Sequence, residues 1–512
     1  MMETVANLGD LADVHAGSTD RLAFVDLRVP GAPEGYTYAE VSRLVTALAA
    51  RLAAGPWAAG DRVGIMSANR VEYVVAYLAI MKAGLVAVPI NVRAGSDVLD
   101  HVVADAGVVL TFVDAAGRDA LAGRTPSIDF DDPQAPLLAD LAAVPHDEAR
   151  AAVAGIAPPA DGLAEILYTS GSSGLPKGVP LTHEGQLWAL RTISSVPPAR
   201  IETQIIAQPL FHMNGLVTLG RGLLLGFTTV LCPRFDAVAY VDAIERYGVT
   251  AVAAVPTMWI RVLRVVGDDR TRLRSVRALS LGSAPITEEQ VARIADAIPD
   301  ADVVVSYGTT ETGPAIFGAH PDGIARPPLA LGHPLPGSEV RLVDGPDADH
   351  GVLVMRNPAV TDGYRGLPHL TEAAFTDGWY SSGDVMRRDE HGFYYFVGRA
   401  DDMFVCGGEN IYPGELETIL ERHPAVAHAA VVSLPDDERG RIPVAFLVTT
   451  AGAELTAAAV KAFVIDQAPA YLYPRRVAVV DELPLAGTNK IDKRRLHELA
   501  EHLETSNEGW VA

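Results

Sequence analysis

The run Tyr168-Thr169-Ser170-Gly171-Ser172-Ser173-Gly174-Leu175-Pro176-Lys177-Gly178 has the residue types that hold a polyanion. Its glycines let backbone come close to a ligand, its hydroxyls and amide N–H groups donate to phosphate oxygens, and Lys177 adds a point charge. A phosphate cradle is one reading, and a flexible Gly/Ser turn between two strands is the plainer one. The hydrolase pattern G-x-x-x-x-G-K-[ST] cannot be laid on it, because Pro176 precedes the lysine. Pro209-Leu210-Phe211-His212-Met213-Asn214-Gly215 sets one histidine in an apolar stretch, either as a satisfied core residue or as a group lining a site. Cys232 and Cys406 lie far apart with no clustered histidine, so the sequence supports neither a disulfide nor a zinc site, and a reducing compartment fits. Cys406 has no His/Asp pair beside it and is not expected to be a nucleophile. Lys490, in a polar C-terminal stretch, reads by itself as a solvated charge.

These groups need rigid elements behind them. In the first third, Thr37 and Glu40 form a capping box, and Val41, Leu44, Val45, Leu48 and Leu52 follow at helical spacing. Residues 61–66 read as a strand, Val71 to Lys82 as a buried helix ended by Gly84, and Val86 to Ile90 as a second strand, which together make a βαβ unit. The alternation recurs as helix Ala239 to Tyr247, strand Val249 to Val255, helix Glu288 to Ile298 and strand Asp302 to Ser306. An α/β architecture with parallel sheets follows. Beyond Pro327, closely spaced Gly and Pro with short runs at 339–343, 351–356 and 392–397 predict a small β-rich lobe. After Arg399 the pattern changes again: helix Pro413 to Arg422, strands Val426 to Val432 and Val444 to Thr449, helix Leu455 to Gln467 and strand Arg476 to Val480. A separate α+β domain of about 110 residues is expected there.

Composition narrows the class. The 512 residues carry a formal net charge of −23, which argues against a nucleic-acid surface, since such a surface needs concentrated basic charge to release counterions. Hydrophobic residues at 49% and charged residues at 21% place the chain among globular proteins. No basic and apolar leader opens the sequence and no apolar run approaches the 18 or so residues of a bilayer span, so a soluble, cytoplasmic protein without a membrane partner is expected.

The phosphate-cradle run resembles that of the adenylate-forming enzymes, the superfamily that includes acyl-CoA and aryl-CoA ligases, firefly luciferase and the adenylation domains of peptide synthetases. Further matches fall in that family's order over nearly the whole chain. The resemblance assigns Thr169, Ser170, Gly171, Ser172, Ser173, Gly174 and Lys177 to the β- and γ-phosphates of ATP. It makes His212 a lining and gating residue of the acyl pocket, together with Met213, Asn214, Thr257, Gly308 and Gly313. Gly282-Ser283-Ala284-Pro285 resembles the loop beside adenine and the substrate carboxylate, although alone it is a strand-to-helix turn with Ser283 or Thr287 as cap. Ser306-Tyr307-Gly308-Thr309-Thr310-Glu311 matches a segment in which the aromatic stacks on adenine, a hydroxyl reaches the α-phosphate and a carboxylate holds Mg²⁺. Those roles fall on Tyr307, Thr310 and Glu311. Read without the family, the segment is equally a capped helix start. Trp379-Tyr380-Ser381-Ser382-Gly383-Asp384 resembles the ribose-binding step through Asp384, with Ser382 where Thr is commoner. Arg399 would reach ribose and phosphate, and Asp401 would be the hinge, which divides the chain into residues 1–400 and 401–512. Gly407 and Gly408 leave room for the pantetheine arm of coenzyme A. Arg475 lies where related ligases bind the CoA nucleotide, or on a solvated edge. Pro484-Leu485-Ala486-Gly487-Thr488-Asn489-Lys490-Ile491 matches the C-terminal lysine motif, with Asn489 in place of the commoner Gly.

The resemblance implies an acyl-CoA synthetase. A carboxylate attacks the α-phosphate of MgATP, giving acyl-adenylate and pyrophosphate, with Lys490, Thr310 and Glu311-bound Mg²⁺ stabilising the charge and Lys177 orienting the leaving group. Rotation about Asp401 then exchanges Lys490 for Gly407 and Gly408, and a thiol displaces AMP. His212, rather than an acidic residue, follows Phe211, and no carrier segment follows the lysine motif; both favour free coenzyme A over an amino acid or a fused carrier. A separate carrier protein as acceptor, or a relative that runs only one half-reaction, are the alternatives. The acyl pocket suits an aromatic, cyclic or medium-length acid, and a monomer or homodimer is expected.

Overall fold

The computed structural model describes residues 5–28, 34–159, 161–169, 175–195, 201–284, 286–450, 453–484, 491–506 and 509–511. Two sheets build its larger part. In the first, the strand order is Ser127–Asp129, Val108–Val113, Arg62–Met66, Val86–Pro89, Leu163–Thr169 and Lys177–Thr182. Every neighbour is parallel except the last pair, which is antiparallel and joined through the phosphate-cradle run. In the second, the order is Asp302–Val305, Ala278–Leu281, Ala251–Ala254, Thr203–Ile206, Thr228–Leu231, Leu22–Asp26 and Glu34–Thr37, parallel but for the final hairpin.

Between the sheets runs the Val71–Lys82 helix, all of whose residues are buried. Its near-continuous apolar sequence reflects that position, because a helix with no solvent face needs no polar stripe. One core unites it with Ile65 and Phe112 of the first sheet, Phe24, Ile206 and Leu231 of the second, and the helices Tyr38–Ala53, His183–Ile193 and Met213–Leu225. The expected capping box at Thr37 and Glu40 is formed, and the chain leaves the buried helix through Gly84 at φ +74°. The strand expected over 249–255 is shorter, Ala251–Ala254, since Val255 caps a helix that begins at Pro256 with proline in the first turn. The helix expected from Leu455 begins at Ala457, behind the side chain of Thr456.

The β-rich lobe is a five-stranded sheet containing Glu339–Asp347, His350–Arg356, Trp379–Arg388 and Tyr394–Arg399. Beyond it, the strands Val426–Asp436, Gly440–Thr449 and Arg476–Val479 and the helices Pro413–Glu421 and Ala457–Gln467 enclose a core whose buried members all fall between Phe404 and Ala500. That core shares no residue with the larger part. Among the described residues, no helix is long and apolar enough to cross a membrane.

Candidate active site

Loops that leave the carboxyl ends of parallel strands converge on one edge of a sheet, where such folds bind ligands. Here Gly282 follows Ala278–Leu281 and Ser306 follows its neighbour Asp302–Val305, with Leu281 paired to Val305. The Ser306 N–H donates to the Leu281 carbonyl at 2.7 Å. The approach is so close that a Cβ on Gly282 would lie 2.6 Å from Ser306 Oγ. Likewise a Cβ on Gly308 would lie 2.9 Å from the Pro314 Cα and 3.0 Å from the Gly313 carbonyl oxygen. Thr309 bridges to Gly313, and the Thr309 and Thr312 hydroxyls share a hydrogen bond of 2.9 Å, which folds 309–313 into a tight turn carrying Thr310. The alternative of a capped helix start after Ser306 is therefore not what forms. Ser283 is not a cap either: Thr287 caps the Glu288–Ala297 helix in a box with Gln290, while Ser283 is exposed and left-handed at φ +65°. Asn214 Nδ2 stands 3.5 Å from Ser283 Oγ, which brings the Met213–Leu225 helix to this loop, with His212 at its N-cap position. Thr257 opens the neighbouring Pro256–Val266 helix.

Asp384 joins this edge from the β-rich lobe. It is 7% exposed and pairs in register with Arg399 across the antiparallel strands. The Tyr307 hydroxyl donates to one carboxylate oxygen, and Arg399 Nη1 donates to the other at 2.9 Å and to the Ser382 carbonyl at 2.9 Å. Burial pushes the Asp384 carboxyl up, against the pull of Arg399 and the Tyr307 hydrogen bond. The rest of the guanidinium grips Asp401, at 2.9 and 3.1 Å. The Ser382 hydroxyl donates to the Leu353 carbonyl at 2.8 Å and accepts from the Asp384 N–H at 3.0 Å, so serine supplies the same oxygen a threonine would.

A third group centres on Tyr364, which sequence reasoning missed. Its hydroxyl donates to Glu311 Oε1 at 2.9 Å, and Lys177 Nζ lies 4.1 Å above its ring. Tyr364 thus couples the phosphate-cradle lysine to the expected magnesium ligand; the one local signal was Gly363 at φ +145° just before it. Glu311 is 7% exposed and its second carboxylate oxygen accepts no hydrogen bond among the described residues. Thr169, paired with Lys177 across the strands, has a buried hydroxyl with no partner among them. One carboxylate oxygen and one orphaned hydroxyl suit a magnesium ion that takes its remaining ligands from water and substrate phosphates. Ser170, Gly171, Ser172, Ser173 and Gly174 lie outside the described residues.

In the C-terminal part, Gly407 at φ +61° and Gly408 at φ +93° form the two-residue turn of a hairpin closed by the Cys406–Glu409 pair. Two consecutive left-handed residues match the twist of such a hairpin, which is why glycine occupies both. The Gly407 N–H donates to the Arg439 carbonyl at 3.0 Å, and nothing lies within 4 Å of a Cβ placed on Gly408. Arg475 stacks on Tyr473 at 3.6 Å, and its guanidinium is held below its ordinary value by burial and by Arg439. Gly407, Arg439 and Arg475 therefore share one corner, of which the sequence reading lacked Arg439. Near the expected hinge, Lys493 bridges Asp402 at 3.5 Å and Glu417 at 3.2 Å. Lys490 lies outside the described residues; the Asp492 N–H donates to the Pro484 carbonyl at 2.8 Å.

Comparison with known proteins accords with a large α/β part that carries these groups and a separate small domain. Residues 11–365 match the model of the AMP-binding enzyme family, and residues 415–490 match that of the AMP-binding enzyme C-terminal domain. The chain belongs to this family. It sits in the acyl-CoA and aryl-CoA ligase branch of the adenylate-forming superfamily. Similar curated proteins include a feruloyl-CoA synthase of an Amycolatopsis species, 34% identical over 89% of this chain and 92% of the relative. A 2-succinylbenzoate–CoA ligase of Bacillus cereus (strain AH820) is 31% identical over 87% and 89%. Among solved structures, ATP-bound MatB from Rhodopseudomonas palustris superposes with a TM-score of 0.84 at 28% identity, covering 97% of this chain and 99% of that one. The o-succinylbenzoate CoA synthetase of Bacillus subtilis, in complex with its acyl-adenylate intermediate, gives 0.79 at 27% identity, covering 95% and 97%. The protein is an ATP-dependent, AMP-forming acyl-CoA ligase that uses ATP, Mg²⁺ and coenzyme A.

Proposed function

We propose that this ligase activates an aromatic, cyclic or medium-length carboxylic acid and passes it to coenzyme A through the residues assembled above. The observation that carries the site assignment is the Tyr307–Asp384–Arg399 cluster, in which two donors from different elements hold one buried carboxylate ready to accept from the ribose hydroxyls. In this reading a substrate carboxylate oxygen attacks the α-phosphorus, the bond from that phosphorus to the bridging oxygen breaks, and pyrophosphate leaves over Lys177 and residues 169–174. Magnesium, when bound at Glu311, neutralises phosphate charge; Thr310 and Lys490 donate to the α-phosphate oxygens. In the second step the coenzyme A sulfur forms a bond to the acyl carbon and AMP departs, with the Gly407–Gly408 turn, Arg439 and Arg475 holding the coenzyme. Asp401 is the hinge between residues 1–400 and 401–512. The small side chains of Gly308, Gly313 and Ala284 beside His212, Met213, Asn214 and Thr257 favour a compact acid over a very long chain. We assign the enzyme to the cytoplasm, as a monomer or homodimer.

The test is a panel of carboxylic acids assayed separately for pyrophosphate release and for coenzyme A consumption. Both products are expected at equal rates from a compact acid with free coenzyme A; pyrophosphate without thioester would instead point to a carrier protein or to a single half-reaction. Lys490→Ala is expected to abolish pyrophosphate release while sparing thioester formation from supplied acyl-adenylate. Equal loss of both would overturn the two-conformation assignment.

A further inference from the structure

The Met213–Leu225 helix carries an arginine whose environment nothing above explains. Arg221 stands seven residues after Asn214 and three after Thr218, so the three polar side chains share one helical face. At 1.5 Å per residue, Arg221 lies about 10 Å along the helix from Asn214. The course of that face is fixed at both ends. At one end Asn214 reaches Ser283, just past the Ala278–Leu281 strand. At the other, Leu225 and Ala278, the first residue of the same strand, pack against one cluster of Ile201, Phe227 and Ala251. Arg221 is therefore stationed alongside this strand, inward of the reacting edge.

The strand shows why space remains there. Leu279 and Leu281 are fully buried on the far side of the sheet, whereas Ala278 and Ser280, on the side of the helix, stay partly exposed although their strand is flanked on both sides within a seven-stranded sheet. Ala253 on the adjacent strand is also partly exposed. A helix packed flush on the sheet would have buried all three. Among the described residues, the Arg221 guanidinium makes no hydrogen bond and no ion pair, and its Nε is sealed from solvent without a partner. Burial with no carboxylate beside it holds the group below its ordinary value. A largely buried cation without a counter-charge is costly to keep. A ligand that supplies the counter-charge removes the cost.

Resting on the acyl-pocket reading above, we propose that Arg221 sets the acid specificity of this ligase by receiving a second carboxylate at the distal end of a dicarboxylic substrate that extends from the reacting edge along the Asn214–Arg221 face, a run of about 10 Å. The planar guanidinium takes a carboxylate through two parallel hydrogen bonds, which a neutral end group cannot reproduce. The first carboxylate goes to the α-phosphate beside Thr310; the second never reacts and only orients the acid.

The experiment compares 4-carboxycinnamate, 4-hydroxycinnamate and 4-methylcinnamate, three acids of matched shape that differ at the distal end. kcat/KM for pyrophosphate release is measured in wild type, Arg221→Met and Arg221→Lys, and binding of each acid is followed by calorimetry. Wild type is expected to prefer the carboxy acid over the methyl acid by about 10- to 100-fold, the range of one charge-assisted hydrogen bond. Arg221→Met should reverse the order, and Arg221→Lys should restore part of the preference, which also separates lost recognition from lost folding. A wild-type preference for the hydroxy or methyl acid, or a preference ratio that Arg221→Met leaves unchanged, overturns the proposal. Turnover of acids with no dependence on the distal group defeats this inference alone. Pyrophosphate from none of a wider acid panel would defeat the ligase reading beneath it.

Discussion

Glu165 sits in the middle of the Leu163–Thr169 strand, 1% exposed, four residues before Thr169 enters the phosphate-cradle run. Among the described residues, its side-chain carboxylate accepts one hydrogen bond, from the Tyr77 hydroxyl to Oε2 at 3.0 Å, and no cation faces it. Burial pushes its carboxyl from 4.5 up to about 7. At about 1.4 kcal/mol per pH unit, that displacement is worth about 3 kcal/mol. The sign follows from the proton balance: the unfolded chain releases this proton near 4.5 and the folded chain holds it until about 7. The contribution to stability is therefore complete below pH 4.5, is lost steadily as pH rises to about 7, and is absent above. Glu165→Gln keeps the acceptor for Tyr77 and removes the titration. Its amide meets a small cavity of about 20 Å³ lined by Tyr77, Gln186 and apolar side chains, room for about one water molecule. Urea unfolding of both proteins at a series of pH values between 5 and 8 gives the test. The wild-type stability should fall relative to the variant by about 2.5 kcal/mol across that range, the remainder having been lost below pH 5. Only the difference in slope counts, since the other titrating groups are common to both proteins. Parallel profiles would refute a buried, protonated Glu165.

Three further outcomes follow from the site. Asp384→Asn leaves Arg399 without its buried partner and weakens the acceptor for ribose, so kcat/KM for ATP in pyrophosphate exchange should fall by about 100-fold, as expected for a lost charged hydrogen bond, with acid KM little changed. Gly407→Ala forces a left-handed alanine at about 1 kcal/mol or more into the hairpin turn, and should slow coenzyme A consumption while pyrophosphate release in the absence of thiol persists; equal slowing of both would contradict the placement of the turn in the second step. Ser283→Gly relieves a non-glycine residue at φ +65°, so thermal unfolding should shift up by the equivalent of about 1 kcal/mol while activity drops through loss of the hydroxyl facing Asn214.

The sequence by itself determined the alternation of helices and strands, because the hydrophobic period is a local property: the Thr37 capping box, the Val71–Lys82 helix and the Gly84 exit stand as its residues predict. It also determined the ordered series of motifs, and through them the family. Errors fell at boundaries set by single residues, such as Pro256 and Thr456. The tertiary structure alone decided which groups meet. Tyr364 reaches Glu311 across 53 positions, Tyr307 reaches Asp384 across 77, and Arg439 stands behind Gly407 through a neighbouring strand. No periodicity encodes such pairings, since they depend on where separate elements dock. The same holds for Arg221, an unremarked arginine in the sequence, which acquires meaning only once its Nε is found buried without a partner among the described residues. Burial, and with it the strength of every electrostatic contact, is a property of the assembled fold.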